Sequence, residues 1–418
     1  MLGFLSDALP LWDYRRKSYL LVGNVMAVVS LLGFAVDVTT GAHSSGNVFS
    51  IGLYVFAFQS GLILADVMSD TYCVELSHRH EGPEDKGRIQ GIAYSYRFAG
   101  GVLGSCGGTF LYNKANWGWG LPLPVISIVC VLLLMTLFPL ISMLDEESVS
   151  LKTARGDAPP QVAAQCRQLW QICKKRAVWQ PMLYIYFFNV MQIPNPAWNN
   201  FLLKGLGFTS FQLGLISCVG SLMSLLGLEL YKRYMMHCSW RNVYIGTTVL
   251  NGVISLAQVM LTQRWNLQLG MPDFLFSFGD SVMASFILGV QYLPCCIMMI
   301  AMCPEGSEGA SYEMFTTLSN VALSASSAFG NMLAPVWDVS NLALERQHFG
   351  GMTKLTLLTT VLQTVPIFFV GFLPAGSKDQ EAWAKEQGES TCLAGLLLFL
   401  LFGALAWTMV QSLAAVAT

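Results

Sequence analysis

A chain of 418 residues that is 54% hydrophobic and only 11% charged, with mean hydropathy +0.52, carries more apolar surface than a water-soluble fold can bury. The net charge of −2 offers no basic surface for nucleic acid, and what charge there is matters by its position. No P-loop, H-E-x-x-H or G-x-S-x-G occurs, which argues against ATP-driven pumping and familiar membrane hydrolysis; we read no enzyme, no cofactor and no metal site.

Runs close to the ~20 apolar residues that a helix needs to cross a ~30 Å hydrocarbon layer recur along the chain. They predict transmembrane helices over residues 18–37, 48–75, 89–112, 120–143, 180–203, 210–231, 242–262, 274–302, 308–336, 354–373 and 392–416, about eleven in all. A barrel strand would alternate in polarity over ~10 residues, whereas Val125 to Met143 is continuously apolar. Met1 runs directly into polar and basic residues, so no cleavable leader is read and the first crossing is expected to direct insertion. The result is an all-α, multi-pass protein of the plasma membrane or of a plastid or other organelle membrane, with the lipid bilayer as its partner and a monomeric state expected.

Alternate loops collect most of the basic residues: Arg15, Arg16 and Lys17; Arg79, Lys86 and Arg88; Lys152, Arg155, Arg167, Lys174, Lys175 and Arg176; Lys232, Arg233 and Arg241; Lys378 and Lys385. That side is cytosolic by the positive-inside rule. The opposite loops keep Lys114, Lys204, Arg264, Arg346 and Lys354, which leaves Arg97 inside a span. Residues 144–178 hold the Asp145-Glu146-Glu147 run, Pro159-Pro160 and a basic cluster, and read as a cytosolic linker. It separates an N-terminal bundle (1–143) from a C-terminal one (179–375), followed by a polar linker and an extra crossing (376–418). Gly3 to Arg16 and Gly227 to Arg241 each leave a helix through glycine into a basic turn, a weak sign of parallel halves.

Ionisable groups at membrane depth cost ~2.5–3.5 kcal/mol on insertion scales, so each calls for a partner or a task. Asp66 and Asp70 lie on one face of the second span, continuing a stripe from Gln59; Gln90, Tyr94 and Arg97 share a face of the third. Counted from the loop that joins these spans, Asp66 and Arg97 reach similar depth, roughly 15 Å, and could pair. The pair would serve either a substrate anion or proton, or bundle packing alone. Asp280 lies in the first turns of the eighth span; Glu308 and Glu313 open the ninth, where Glu308 could also be a simple helix cap.

Gly100, Gly104 and Gly108, flanked by Gly101 and Gly107, form a G-x-x-x-G ladder suited to close helix packing. The run Gln192 to Asn200 puts Pro194, Pro196, Asn195, Asn199 and Asn200 into one span, so that span cannot be regular, and its freed carbonyls and Asn195 would line a cavity or mark a kink. Pro294 suggests a second kink. The 11 cysteines show no C-x-x-C and read as small buried hydrophobes, while His78 and His80 read as a solvated turn.

Together the motifs resemble the folate-biopterin transporter family of the major facilitator superfamily. They are Gly3-Phe4-Leu5-Ser6-Asp7 followed by Tyr14-Arg15-Arg16-Lys17-Ser18; Asp66-x-x-x-Asp70 with Val74-Glu75; Gly87-Arg88-Ile89-Gln90-Gly91; Cys303-Pro304-Glu305-Gly306-Ser307-Glu308-Gly309 with Asn320; and Gly279-Asp280 with Pro294. The resemblance covers residues 1 to about 375. It implies a two-bundle fold lacking the first helix and most of the second, so that the N-terminal bundle is incomplete, with one extra C-terminal helix. It further implies alternating access and proton-linked transport of folates or other pterins, with H+ and the pterin as small-molecule partners. Asp66, Asp70, Glu75, Arg97 and Asp280 then become candidates for substrate binding or coupling, joined by Gln90, Asn195, Glu308 and Asn320, and Gly3, Asp7, Arg15 and Arg16 form the conformational motif. Arg97 would face the glutamate tail or another anion. The competing readings are a membrane scaffold or sensor without transport, and a carrier of another polar aromatic solute.

Overall fold

The computed structural model describes residues 2–40, 48–82, 87–111, 120–150, 162–303, 308–385 and 388–417. Lys86, Lys114, Lys152, Arg155, Pro159, Pro160 and the stretch Pro304 to Ser307 named above lie outside them. The described chain is helical throughout: α1 (Leu2–Ala8), α2 (Lys17–Thr40), α3 (Val48–His80), α4 (Arg88–Leu111), α5 (Leu123–Met135), α6 (Val162–Lys174), α7 (Arg176–Met191), α8 (Ser210–Leu230), α9 (Trp240–Thr262), α10 (Asp273–Met302), α11 (Glu308–Leu333), α12 (Gly350–Thr364), α13 (Ser377–Lys385) and α14 (Thr391–Ala417). Short turns extend α5, α8 and α12.

Eight segments among the described residues are long and apolar enough to cross a membrane: Lys17–Thr40, Phe49–His80, Leu123–Ser142, Ser210–Met235, Trp240–Thr262, Asp273–Met302, Gly350–Phe372 and Thr391–Val410. The other three predicted crossings fall on α4, α7 and α11. Their composition sets them apart: α4 carries Gln90 and Arg97, α11 carries Glu308, Glu313 and Asn320, and α7 stops before Pro194 and restarts at Trp198–Asn200 in a turn of wider pitch, Phe201–Gly205. Pro294, read as a kink, sits inside an unbroken α10. The chain is an integral, multi-pass membrane protein.

The residues divide into two compact units. The first holds Met1–Gly82, Trp117–Leu169 and Cys303–Met314. Its core is the α2–α3 pair, where a Cβ added at Gly23 would stand 2.6 Å from the Gly61 carbonyl oxygen and one at Gly61 2.6 Å from that of Gly23. The glycines let the two backbones touch, which is how apolar helices associate when lipid competes for their side chains.

The second unit holds Pro83–Asn116, Trp170–Met302 and Phe315–Thr418. Here α8 and α10 meet backbone to backbone: a Cβ on Gly227 would strike the Phe286 carbonyl, and one on Gly289 the Ser224 carbonyl. The predicted ladder of Gly100, Gly104 and Gly108 does not do this work. Added Cβ atoms there meet nothing within 4 Å among the described residues. Helix α4 instead approaches α8 through a different face, with Ser105 Oγ 2.8 Å from Ser221 Oγ, Phe110 edge-on to Phe211, and a disulfide between Cys106 and Cys218. That bond corrects the reading of all cysteines as buried hydrophobes. Spacing gave no hint of it, since the two thiols are 112 residues apart and become neighbours only when α4 and α8 pack, with Cα atoms 5.2 Å apart.

Both cysteines lie towards the helix ends remote from the basic loops, which on the orientation expected from those loops is the side of an oxidising compartment. A peptide digest of the unreduced protein is therefore expected to yield Cys106 and Cys218 as one linked pair that separates on reduction, with a loss of stability of about 2–4 kcal/mol. Finding both free in protein prepared without reductant would contradict this placement.

Candidate functional site

The first unit concentrates charge where α1 turns into α2. Arg16 is fully buried. Its Nε donates to Glu75 Oε1 at 2.8 Å, Nη2 reaches the same oxygen at 2.7 Å, and the guanidinium also contacts Asp7 Oδ1 and Ser6 Oγ. Arg15 adds a second cation on Asp7 Oδ1 at 2.8 Å. Burial alone would push the Arg16 guanidinium towards its neutral form, but the carboxylates of Asp7 and Glu75 outweigh that and raise its pKa. A planar fork with five donors can satisfy two carboxylates and a hydroxyl at once, which a lysine cannot.

Asp7 turns its other oxygen away from the arginines. Oδ2 accepts from the Ala310 backbone N–H at 2.8 Å, at the start of α11, where unpaired amides and the helix dipole favour an anion. In return, Glu313 on α11 accepts from the backbone N–H groups of Leu2 (2.8 Å) and Gly3 (2.5 Å), the opening amides of α1. The backbones are close enough that a Cβ on Gly3 would sit 2.5 Å from the Gly309 oxygen, and one on Gly309 2.9 Å from Asp7 Oδ1. Helix α2 is capped by Glu146, which accepts from the N–H groups of Arg15 (2.8 Å), Arg16 (2.9 Å) and Lys17 (2.8 Å). Gly3, Asp7, Arg15, Arg16 and Glu75 are thus brought together. Glu146 and Ser6 were not singled out from the sequence. Glu146 sits in an acidic run whose members look alike, and only folding selects the one that meets three amides.

Glu308 is buried at the same helix start, with Oε1 3.9 Å from His78 Nδ1. The His78 side chain is only 10% exposed, so it is no solvated turn residue. On α3, Asp66 is exposed and Asp70 half-buried. Both belong to the first unit, whereas Arg97 belongs to the second, where its guanidinium lies over the Tyr94 ring at 5.3 Å. Gln90 is fully buried and Tyr94 packs edge-on to Tyr292, 4.8 Å between centroids.

The remaining predicted residues lie in the second unit. Asn195 is held within its own break: its Nδ2 donates to Thr356 Oγ1 at 3.0 Å, and its Oδ1 accepts from the Ala197 N–H at 3.1 Å, restarting the helix after the prolines. Asn320 is exposed on α11, in a groove with Thr317, Ser324, Leu405 and Thr408 that the extra helix α14 closes. Asp280 is 6% exposed in α10 and accepts from Gln258 Nε2 of α9 at 2.9 Å. Among the described residues no group of three or more His, Cys, Asp or Glu side chains is placed to hold a metal.

The sequence matches the BT1 family over residues 1–390. A curated folate-biopterin transporter of Synechocystis is 27% identical over 377 residues, spanning 90% of this chain and 72% of that protein. Folate transporter 1 of Plasmodium falciparum is 22% identical, spanning 90% and 69%. Among solved structures, a proton:xylose symporter of the major facilitator superfamily superposes with TM-score 0.65 at 13% identity, over 91% of this chain and 86% of that one. The E. coli fucose:proton symporter gives 0.57 at 10%, over 89% and 86%. At such identities the likeness establishes the fold.

Removing one partner of a buried ion pair leaves an uncompensated charge, which costs about 3–5 kcal/mol. Arg16→Leu is expected to lower stability in detergent by that amount. Arg16→Lys, which keeps the charge but cannot fork between Asp7 and Glu75, should also melt earlier than the parent protein. Equal melting of the parent and Arg16→Lys would show that the geometry of the cluster carries no energy.

Proposed function

The chain belongs to the BT1 family, and from that premise we propose that it is a secondary carrier of folates or related pterins, driven by protons and working by alternating access. The observation that carries this reading is the buried cluster of Asp7, Arg16 and Glu75 together with the first turn of α11. A static bundle would be as stable with apolar residues in these places, because buried ion pairs are poor stabilisers. A carrier has another use for them. Charges that satisfy one another only in a single arrangement hold the cytosolic ends of α1, α3 and α11 together, and they can be handed to water when those ends part.

The substrate's chemistry fits the remaining candidates. Folate carries glutamate carboxylates and a flat pterin ring. Arg97, the one cation predicted at membrane depth, would face the carboxylates, and the fork geometry of guanidinium makes such contacts strong. Tyr292, half-buried and packed on Tyr94, would supply aromatic surface for the ring. On the first unit, Asp66 and Asp70 are the further candidates for substrate binding or coupling. A membrane carboxylate takes the proton, so that the loaded carrier crosses without an unpaired charge. The names of the Synechocystis and Plasmodium relatives support the substrate class.

The test is uptake of radiolabelled folate into proteoliposomes with and without an inward proton gradient. Accumulation above equilibrium only with the gradient is expected. Arg97→Ala should reduce uptake at least about tenfold, the loss of one charge-assisted contact, with unchanged protein content and melting; full uptake by that variant would remove Arg97 from the site.

A further inference from the structure

In the second unit two buried polar atoms lie on one face of α10 without hydrogen-bond partners among the described residues: Ser277 Oγ, with Ser277 fully buried, and Asp280 Oδ1. They belong to residues three apart, hence neighbours one turn along the same helix face. The other Asp280 oxygen, Oδ2, accepts from Gln258 Nε2 of α9 at 2.9 Å. The carboxylate is therefore half satisfied. Its Gln258 side is complete, while Oδ1 and the Ser277 hydroxyl, one turn apart, each lack a hydrogen-bond partner among the described residues.

Among the described residues no cation is paired with it. On α10 the other charged residue is Asp273, at the outer end roughly 10 Å away along the helix, and it is taken by Arg264 at 2.8 Å. Helix α9 contributes Arg241 at its opposite end, and α8 contributes Glu229, paired with Lys232 at 2.6 Å. Helix α4 contributes Arg88 and Arg97. Arg97 lies beside Tyr94, whose ring meets Tyr292, so it is level with a part of α10 roughly 18 Å deeper than Asp280. Helix α12 contributes Lys354, which is exposed. An ionised carboxylate here has no ion-pair partner among the described residues and keeps an orphaned buried acceptor, an oxygen that calls for a proton or a donor.

We propose that Asp280 and Gln258 form the proton site of the carrier: the coupling proton binds Asp280 Oδ1, the oxygen without a partner among the described residues, while the Gln258 amide holds Oδ2. Gln258 is a positioning residue: its amide donates to the carboxylate and favours the charged form. Loading transfers one proton from the outer compartment to Oδ1 and breaks no covalent bond; release at the other face returns it. The inference rests on the carrier reading, but it names one among five candidate acids and the residue that sets its affinity.

The experiment joins transport to a readout that does not need transport. Asp280→Asn in proteoliposomes is expected to abolish gradient-driven folate accumulation while keeping folate–folate exchange without a gradient. Gradient-driven accumulation in that variant overturns the proposal. Separately, dicyclohexylcarbodiimide modifies protonated carboxyls in membranes, and mass spectrometry locates the adduct. The adduct on Asp280 is expected to rise with acidity, its midpoint moving about one pH unit to the alkaline side in Gln258→Leu, the size of one hydrogen bond. An unmoved or acid-shifted midpoint in that variant, or no adduct on Asp280 at any pH, also overturns it. If the parent protein shows no folate exchange, the substrate reading fails, while the labelling still decides the proton site.

Discussion

A guanidinium with no path to water, held between Asp7 and Glu75, is the constraint on which the first unit depends. Arg16 cannot be solvated where it lies, so its carboxylates must stay within reach. One sits at the end of α1, the other near the end of α3, and the first is itself tied to the opening amide of α11. Each connection fixes the next. Asp7 can reach Ala310 only because Gly309 has no side chain in the way, and α1 can lie against α11 only because Gly3 has none either. Glu313 then closes the loop from the other direction by accepting from the first amides of α1. The cluster is a set of helix starts whose unpaired donors are satisfied by carboxylates from elsewhere in the chain: Asp7 meets α11, Glu313 meets α1 and Glu146 meets α2.

The second unit is built on a different principle. Its helices meet through small residues and neutral polar contacts: Gly227 and Gly289, Ser105 and Ser221, Asn195 and Thr356, Gln291 and Thr247. Neutral contacts of this kind hold helices in register without the expense of buried charge. Against that background Asp280 is out of keeping, a carboxylate with one oxygen satisfied by an amide and the other by nothing among the described residues. A closely paired cluster in one unit thus contrasts with a half-paired acid in the other, and the carrier we propose would use the first to hold a conformation and the second to hold a proton.

Much of the fold was legible because it rests on long-range averages. Hydropathy over twenty residues located the long apolar helices. The two prolines at 194 and 196 placed the break after α7. What escaped depends on which face a residue presents. The ladder Gly100-Gly104-Gly108 has the spacing of a packing motif, yet α4 meets α8 through Ser105, Cys106 and Thr109 instead, and no spacing rule chooses between faces of one helix. Cys106 and Cys218 needed the same knowledge. Of the site, Gly3, Asp7, Arg15, Arg16 and Glu75 were readable from the motif they form. Glu146 was hidden among three acids in a row, and Gln258 among ordinary polar residues, because a hydrogen-bond partner on another helix leaves no local trace.

The central claim is that the contacts among α1, α3 and the start of α11 are a latch that opens during transport. Hydrogen exchange read by mass spectrometry measures it directly, since the amides of Leu2, Gly3 and Ala310 are themselves the latch's hydrogen bonds. The account predicts that peptides covering Leu2 to Asp7 and Ala310 to Glu313 change protection together when folate is added to the reconstituted protein at acidic pH. Exchange that folate leaves unaltered in both peptides, or alters in only one, would contradict it.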